Sequence, residues 1–449
     1  MKKFLLSTTL ILNCFFSSIL MAQAQKEFSL SEAQSFALIN AYSLKNADFD
    51  TQVAKKKVWE TIADGLPQIT ATADYNKNLN LPVSLIPAKF FDPDAKEGEM
   101  AKVQFGQKYS SSATLSANQL IFDGSYIVGT MAAKVYLQLS EDQKEKTEIE
   151  IKDAVAQSYY LVLVAQENKK TIQDNLEVVQ KTLSETQAFY QNGFKEELDV
   201  DQIKLMVKQT QNQLTDATRQ ILVARTLLKF SMGMDIDNQI ILTDPLAKLV
   251  NPIRIKNEEL KNYDVSQHID YRIVDTQKKA QKLLLRNAQV QFLPKISAFY
   301  TYGKNTQTNQ ANVFASDVSW FKQSMVGLKL TVPIFTSFKR TSKIKQERFK
   351  YKQLQSNQLM TEQNLKKEIT ISFTNLMNAK EKYENDREGL EIAKRIYERT
   401  RIKFNEGIST SNELSQNEQQ YLSTHATYIN STLQLLKTKL SFEKALGKL

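Results

Sequence analysis

The sequence predicts a mostly α protein with membrane β-strands, in which one unit of helix, strand, strand, long helix and helix occurs twice, giving four strands per chain. Three observations predict it. Residues Ser125 to Asn192 contain no proline and a single glycine, Gly129, and Phe338 to Phe404 repeat this with Gly389. The distances between landmarks also recur: Gly193 to Gly233 and Gly407 to Gly447 are both 40 residues, while Phe122 to Gly193 is 71 and Phe335 to Gly407 is 72. Four short stretches alternate apolar and polar residues ahead of the two long runs, the period of a half-buried strand. A duplication accounts for all three.

Taken in order, the chain opens with Lys2 and Lys3, an apolar run from Phe4 to Met21 and the small-residue site Ala22-Gln23-Ala24. This is the layout of a secretory signal peptide, residues 1–24. The first repeat is assigned to 25–233, with a strand hairpin at about 67–120 and a long helical hairpin at about 125–232. A connector follows at 234–267, and the second repeat covers 268–449, with strands at about 294–334 and helices at about 338–446.

Leu30 to Asp64 has a helical pattern, interrupted between Ala41 and Lys45 and stopped by Gly65-Leu66-Pro67. Ile69, Ala71, Ala73 and Tyr75 then alternate with polar neighbours, and after a loop holding Pro82, Pro87 and Pro93 so do Tyr109, Ala113, Leu115 and Ala117. In the first long helix, Ile172, Leu176, Val179, Leu183, Thr186 and Tyr190 form a seam with gaps of 4 and 3, the spacing for shallow-angle packing on other helices. Asn192-Gly193 ends it, because glycine adopts the left-handed conformation at little cost. Leu214, Ala217, Ile221, Ala224 and Leu228 carry the returning helix. Met234 to Gln267, with Pro245 and Pro252, reads as a non-helical connector.

The second half repeats this order. Tyr271 to Gln291 is helical and ends at Leu293-Pro294. Ile296, Ala298, Tyr300 and Tyr302, and later Val326, Leu328, Leu330 and Val332, are the apolar positions of two more strands. Pro333-Ile334-Phe335 enters the second long helix, whose seam runs through Leu376, Ala379, Tyr383, Leu390, Ala393, Tyr397, Thr400 and Phe404 to Asn405-Glu406-Gly407. Each long run is roughly 100 Å at the helical rise. None of the eight prolines falls inside a long helix.

Four strands with a lipid-compatible face cannot enter a bilayer as an open sheet, so closure requires several chains. Three chains supply a 12-stranded trimeric β-barrel with a wet bore, suited to short polar inner residues, continued by an α-helical tunnel.

This order resembles the TolC-type outer-membrane efflux proteins, the outer membrane factors. The resemblance rests on Leu66-Pro67-Gln68-Ile69, Val103-Gln104-Phe105-Gly106, Gln119-Leu120-Ile121-Phe122-Asp123-Gly124, Asn192-Gly193-Phe194, Leu293-Pro294-Lys295-Ile296 and Asn405-Glu406-Gly407, in that order. It implies a homotrimeric exit duct in the outer membrane of a Gram-negative bacterium, reaching into the periplasm. Its implied partners are outer-membrane lipid, a periplasmic adaptor (membrane fusion protein) and an inner-membrane RND or ABC transporter, in efflux or type I secretion. The duct itself would be passive. Met234 to Gln267 resembles the equatorial belt of the family.

The resemblance also places a periplasmic-tip gate at the turns around Gly193 and Gly407. Counting from those glycines, the matching positions are Glu413 and Gln416, and Asp199 and Gln202. Gln416 departs from the family's two acids, and no arginine follows Gly407 closely enough to lock against Asp199. Thr410-Ser-Asn-Glu413 reads equally as a capping box, with an acid in the first helical turn favoured by the dipole; Glu196 and Asp199 allow the same reading.

Other chemistry is thinly represented. The only cysteine, Cys14, lies in the signal segment, and the two histidines, His268 and His425, are far apart, which favours packing or surface roles. No phosphate loop or Ser/His/Asp arrangement stands out, so no enzymatic activity, cofactor or metal is expected. With 59 basic against 49 acidic residues spread along the chain, nucleic acid is not an expected partner. Trp320 and Phe321, opening the fourth strand, suit a membrane interface. The alternative class is a soluble periplasmic coiled-coil adaptor or structural protein, which could own the helices but has no need of the strands.

Overall fold

The computed structural model describes residues 26–250 and 263–449; the signal-peptide reading and the middle of the connector lie outside them. The described residues divide into two compact units that cut across the repeats, so that each unit draws on both halves of the sequence.

The first unit comprises the described residues up to Thr51, Ser140–Asp275 and Asn357–Leu449. It starts with strand β1 (Lys26–Phe28) and helix α1 (Leu30–Asn40), where Ser29 and Glu32 form a capping box. Ala41, at ψ 130°, breaks the helix before α2 (Tyr42–Ala63). The unit holds most of α3 (Gly124–Gln191) and of a later long helix, α7 (Lys339–Asn405), together with their returning partners α4 (Glu197–Ser231) and α8 (Ser411–Ala445). Between α4 and α7 come β6 (Ile240–Leu242), the short α5 (Leu246–Val250) and part of α6 (Ile269–Val290).

One core of this unit joins Ala33 and Ala37 of α1, Val155 and Tyr159 of α3, Leu228 of α4, Leu376 of α7 and Leu436 and Leu440 of α8. The connector is stitched into it. β1 pairs in parallel with β6, and the Asp244 carboxylate accepts from the Leu30 amide (2.8 Å) and from the buried Tyr159 hydroxyl (3.2 Å). The connector is therefore less irregular than its prolines suggest, holding both a strand and a five-residue helix.

The second unit, Gln52–Leu139 and Thr276–Ser356, contains the sheet. Strands β2 (Gln68–Lys77), β5 (Tyr109–Phe122), β7 (Lys295–Thr308) and β8 (Phe321–Thr331) pair antiparallel in that order. Pairing in register places Ile69, Ala117, Tyr300 and Val326 in one row and Ala71, Leu115 and Tyr302 in the next, all on one face. The opposite face carries Thr70, Thr72, Ser116, Thr114, Thr301 and Gly303. β2 and β8 are the edges, unpaired within the chain.

Several details depart from sequence expectation. The three-proline loop holds a second hairpin, β3 (Val83–Pro87) with β4 (Met100–Gln104). The second long helix starts only at Lys339, after a reversal in which both Ser337 and Phe338 have positive φ. Tyr190 is exposed, so the α3 seam closes at Thr186. No helix among the described residues is long and apolar enough to cross a membrane.

The duplication is written in the helix ends. Gly193, Gly233, Gly407 and Gly447 all have φ between +64° and +79°, and each sits in the same paired turn, as in Gly193 N–H to Tyr190 O and Phe194 N–H to Phe189 O. They differ in what surrounds them: a Cβ at Gly193 would meet nothing within 4 Å, whereas at Gly233 it would lie 2.4 Å from Asn40 O. Gly193→Ala is expected to cost about 1 kcal/mol, the left-handed penalty alone. Gly233→Ala should lower the thermal unfolding midpoint several times further, because backbone must move, and circular-dichroism melts of the two variants test the difference.

Candidate functional site

The tips of the two helical hairpins lie together in the first unit, held by three crossing contacts. Asn405, before the second turn, donates its amide to Glu185 Oε2 on α3 (3.1 Å). Lys195, after the first turn, places its ammonium 3.9 Å from the centre of the Phe404 ring. Ser411, the first residue of α8, is buried and donates its hydroxyl to Asp199 Oδ1 in the first turn of α4. Asp199 thus serves twice, since its other oxygen accepts the Glu196 amide in a capping box. The partner that sequence reasoning sought among basic residues is a serine, invisible to a search for opposite charge.

Glu413 is the N3 acid of α8. Its carboxylate accepts from the Ser409 hydroxyl and the Thr410 amide (3.3 Å), while its own amide donates to Thr410 Oγ1 (3.1 Å). The Ser409 bond, then the Thr410 amide, hold its pKa below the usual carboxylate range. Gln416, one turn on, is exposed. Gln202 is half-buried, with Oε1 enclosed and without a hydrogen-bond partner among the described residues. Asp199 and Ser411 are therefore joined by the fold, whereas Glu413 is held by its own turn.

Just above the tips is a residue that sequence reasoning missed. Glu418 is 2% exposed, on a seam with Val179, Ile203, Met206, Tyr397, Phe404 and Leu414. Its Oε1 accepts from Asn175 Nδ2 on α3 (2.7 Å) and Thr210 Oγ1 on α4 (3.1 Å), tying three helices at one atom. Burial raises its pKa, opposed by those two bonds. The signal was present: Leu414, Glu418, Tyr421 and His425 follow gaps of 4, 3 and 4, a heptad seam in an otherwise polar stretch. His425, also buried, has its pKa pushed down to about 4 by desolvation, and its ring meets Tyr421, which stacks on Tyr397 at 5.6 Å. It is a packing histidine.

Among the described residues of the tips and the sheet, the groups brought together are helix caps, a packed seam and a row of apolar strand positions. A family model described as outer membrane efflux protein matches residues 34–234 and 278–448, most of the chain and once per repeat. The chain belongs to the outer membrane efflux protein family. Among solved structures, this family member is similar to CusC, a protein that forms a transmembrane channel, at 17% identity and TM-score 0.72, with 93% of this chain and 92% of that one covered. It is similar to the outer membrane protein VceC of Vibrio cholerae at 17% identity and TM-score 0.67, covering 93% and 96%. The CmeC outer membrane channel of Campylobacter jejuni gives 18%, 0.69, and coverage of 93% and 85%. No curated protein matches the sequence. The efflux family's fold, a helical tunnel joined to a β-barrel and built on a duplicated unit, is the fold of this chain.

The two buried titratable groups of α8 act on stability in opposite directions. Glu418, with its folded pKa above the ordinary 4.5, contributes stability that is complete below 4.5 and is lost as pH rises through the folded pKa. His425, depressed from 6.5 to about 4, contributes stability present above 6.5 and lost as pH falls through about 4. Glu418→Gln is expected to flatten the high-pH decline and His425→Leu the acid one in melts recorded across pH. Glu418→Ala should cost about 2 kcal/mol below pH 4.5 and less above it, since it strands the buried Asn175 amide, while Thr210 Oγ1 keeps Met206 O as an acceptor (2.9 Å).

Proposed function

We propose that this chain is one third of a passive exit duct in the outer membrane of a Gram-negative bacterium. Three copies close a 12-stranded barrel from their four-stranded sheets, and the helical hairpins line the tunnel beneath it. Residues 1–24 are removed on export. The duct works with a periplasmic adaptor and an inner-membrane RND or ABC transporter, which supplies the energy, in efflux or type I secretion.

The observation that carries this reading is the open sheet. One face is apolar across β2, β5, β7 and β8, which suits hydrocarbon, yet β2 and β8 leave unpaired amides and carbonyls that hydrocarbon cannot satisfy. Pairing β8 of one copy with β2 of the next removes both edges and leaves the short polar residues around a wet bore. A soluble adaptor has no use for such a surface.

At the tip, the exposed Glu413 and Gln416 narrow the bore as a singly acidic ring, with Glu413 also capping α8. Asp199 with Ser411 acts as a clasp between the two hairpins of each copy, with the half-buried Gln202 one turn further along α4.

Detergent extraction of outer membranes should yield a heat-sensitive oligomer of this chain; a soluble periplasmic monomer would reject the duct. In planar bilayers, Ser411→Ala is expected to raise single-channel conductance by about twofold or more by freeing the clasp, a change in hydrogen bonding without a change in charge. Glu413→Gln should instead reduce cation selectivity at near-normal conductance. Channels identical to wild type in both properties would remove the gate assignment and leave the fold standing.

A further inference from the structure

Two lysines interrupt the apolar face of the sheet near its loop end. Lys304 of β7 pairs in register with Lys322 of β8, in the row that also holds Ala113 and Ala73. The rows on the helix side of it carry Tyr302 and Leu115, then Tyr300, Ala117 and Val326. Lys304 is about 26 Å along the strand from Ile296, which after the usual strand tilt approaches the thickness of an outer-membrane hydrocarbon layer. Both ammonium-bearing side chains are exposed, and neither meets a carboxylate among the described residues.

The same place has a roof. The loop between β7 and β8 is fastened over this face by the Tyr75 hydroxyl to Ala311 O (2.9 Å), the Thr306 hydroxyl to Ser319 O (2.8 Å) and the Trp320 indole N–H to Val313 O (3.0 Å). Phe314 and Trp320 stack at 5.8 Å. Beside them is an open cleft of about 660 Å³ lined mainly by apolar residues, Ala71, Ala73, Leu115 and Tyr302 among them, together with Thr72, Thr114 and the Lys304 cation. A largely apolar groove with a cation on its lining is complementary to an amphiphile with an anionic head.

We propose that this cleft seats an outer-leaflet glycolipid with a phosphorylated headgroup. An acyl chain lies along the apolar lining beside Phe314 and Trp320, and a phosphate bridges Lys304 and Lys322. The inference rests on the outer-membrane reading above, because only in that orientation does the loop end of the sheet meet the outer leaflet. It explains why two lysines occupy lipid-side positions: each ammonium lies at headgroup depth, where an anionic neighbour rewards it.

Native mass spectrometry of the detergent-purified oligomer, loaded with either diphosphorylated or dephosphorylated lipid A, tests it. The wild type is expected to retain the diphosphorylated form roughly tenfold better, and Lys304→Gln with Lys322→Gln to abolish the preference. Lys329→Gln, on the opposite face of the same sheet, should leave the preference intact. Equal retention of the two lipids by wild type overturns the inference, as does an undiminished preference in the double variant or displacement of the lipid by inorganic phosphate alone. An intact oligomer without phosphate preference rejects this site only; a chain that never forms an outer-membrane oligomer rejects the duct as well.

Discussion

The constraint on which the structure depends is that backbone amides and carbonyls need partners wherever water is absent. In the helical hairpins this is met within each helix and at its capped ends. In the sheet it is met at the two inner strands and left open at β2 and β8. The edges of β2 and β8 are where the main sheet leaves backbone groups for another chain to satisfy, as the proposed oligomer does. The small, alternating side chains of the strands follow from the same constraint, since one face must tolerate lipid and the other water.

Duplication gives the chain two hairpin tips of similar backbone and different chemistry. Both turns use a glycine with positive φ and the same pair of hydrogen bonds, and both following helices begin with a capping box. One acid, Asp199, reaches from its cap to the neighbouring tip, while the other, Glu413, is satisfied by Ser409 and Thr410 alone. Cross-linking and capping use the two different oxygens of one carboxylate, so a single side chain can couple the start of one helix to the start of another.

Glu418 shows how a coiled seam can hold a polar side chain. A buried carboxyl is costly unless its oxygens are used, and here one oxygen takes donors from two other helices. Sliding any of these helices by one turn would separate the three groups and strand each of them, so the network selects one register where apolar contacts alone would accept several. Tyr397, Tyr421 and His425 extend the same seam with aromatic packing.

Periodicity alone determined the long helices, the four strands of the main sheet and the twofold repeat, because heptad gaps, alternation and the placement of glycine and proline are local consequences of backbone geometry, whereas the β3–β4 hairpin and the short α5 carry no such pattern. The seam residues Leu376, Ala393, Tyr397 and Phe404 were legible in that way and are buried. Local pattern has no access to which side chains meet across elements. Only the tertiary structure decided that Asp199 meets Ser411, across 212 positions of sequence, and that Glu418 meets Asn175 across 243. It alone placed the β7–β8 loop over the apolar face, since hydrogen bonds to Ala311, Ser319 and Val313 go to backbone carbonyls that every residue carries and no sequence pattern marks.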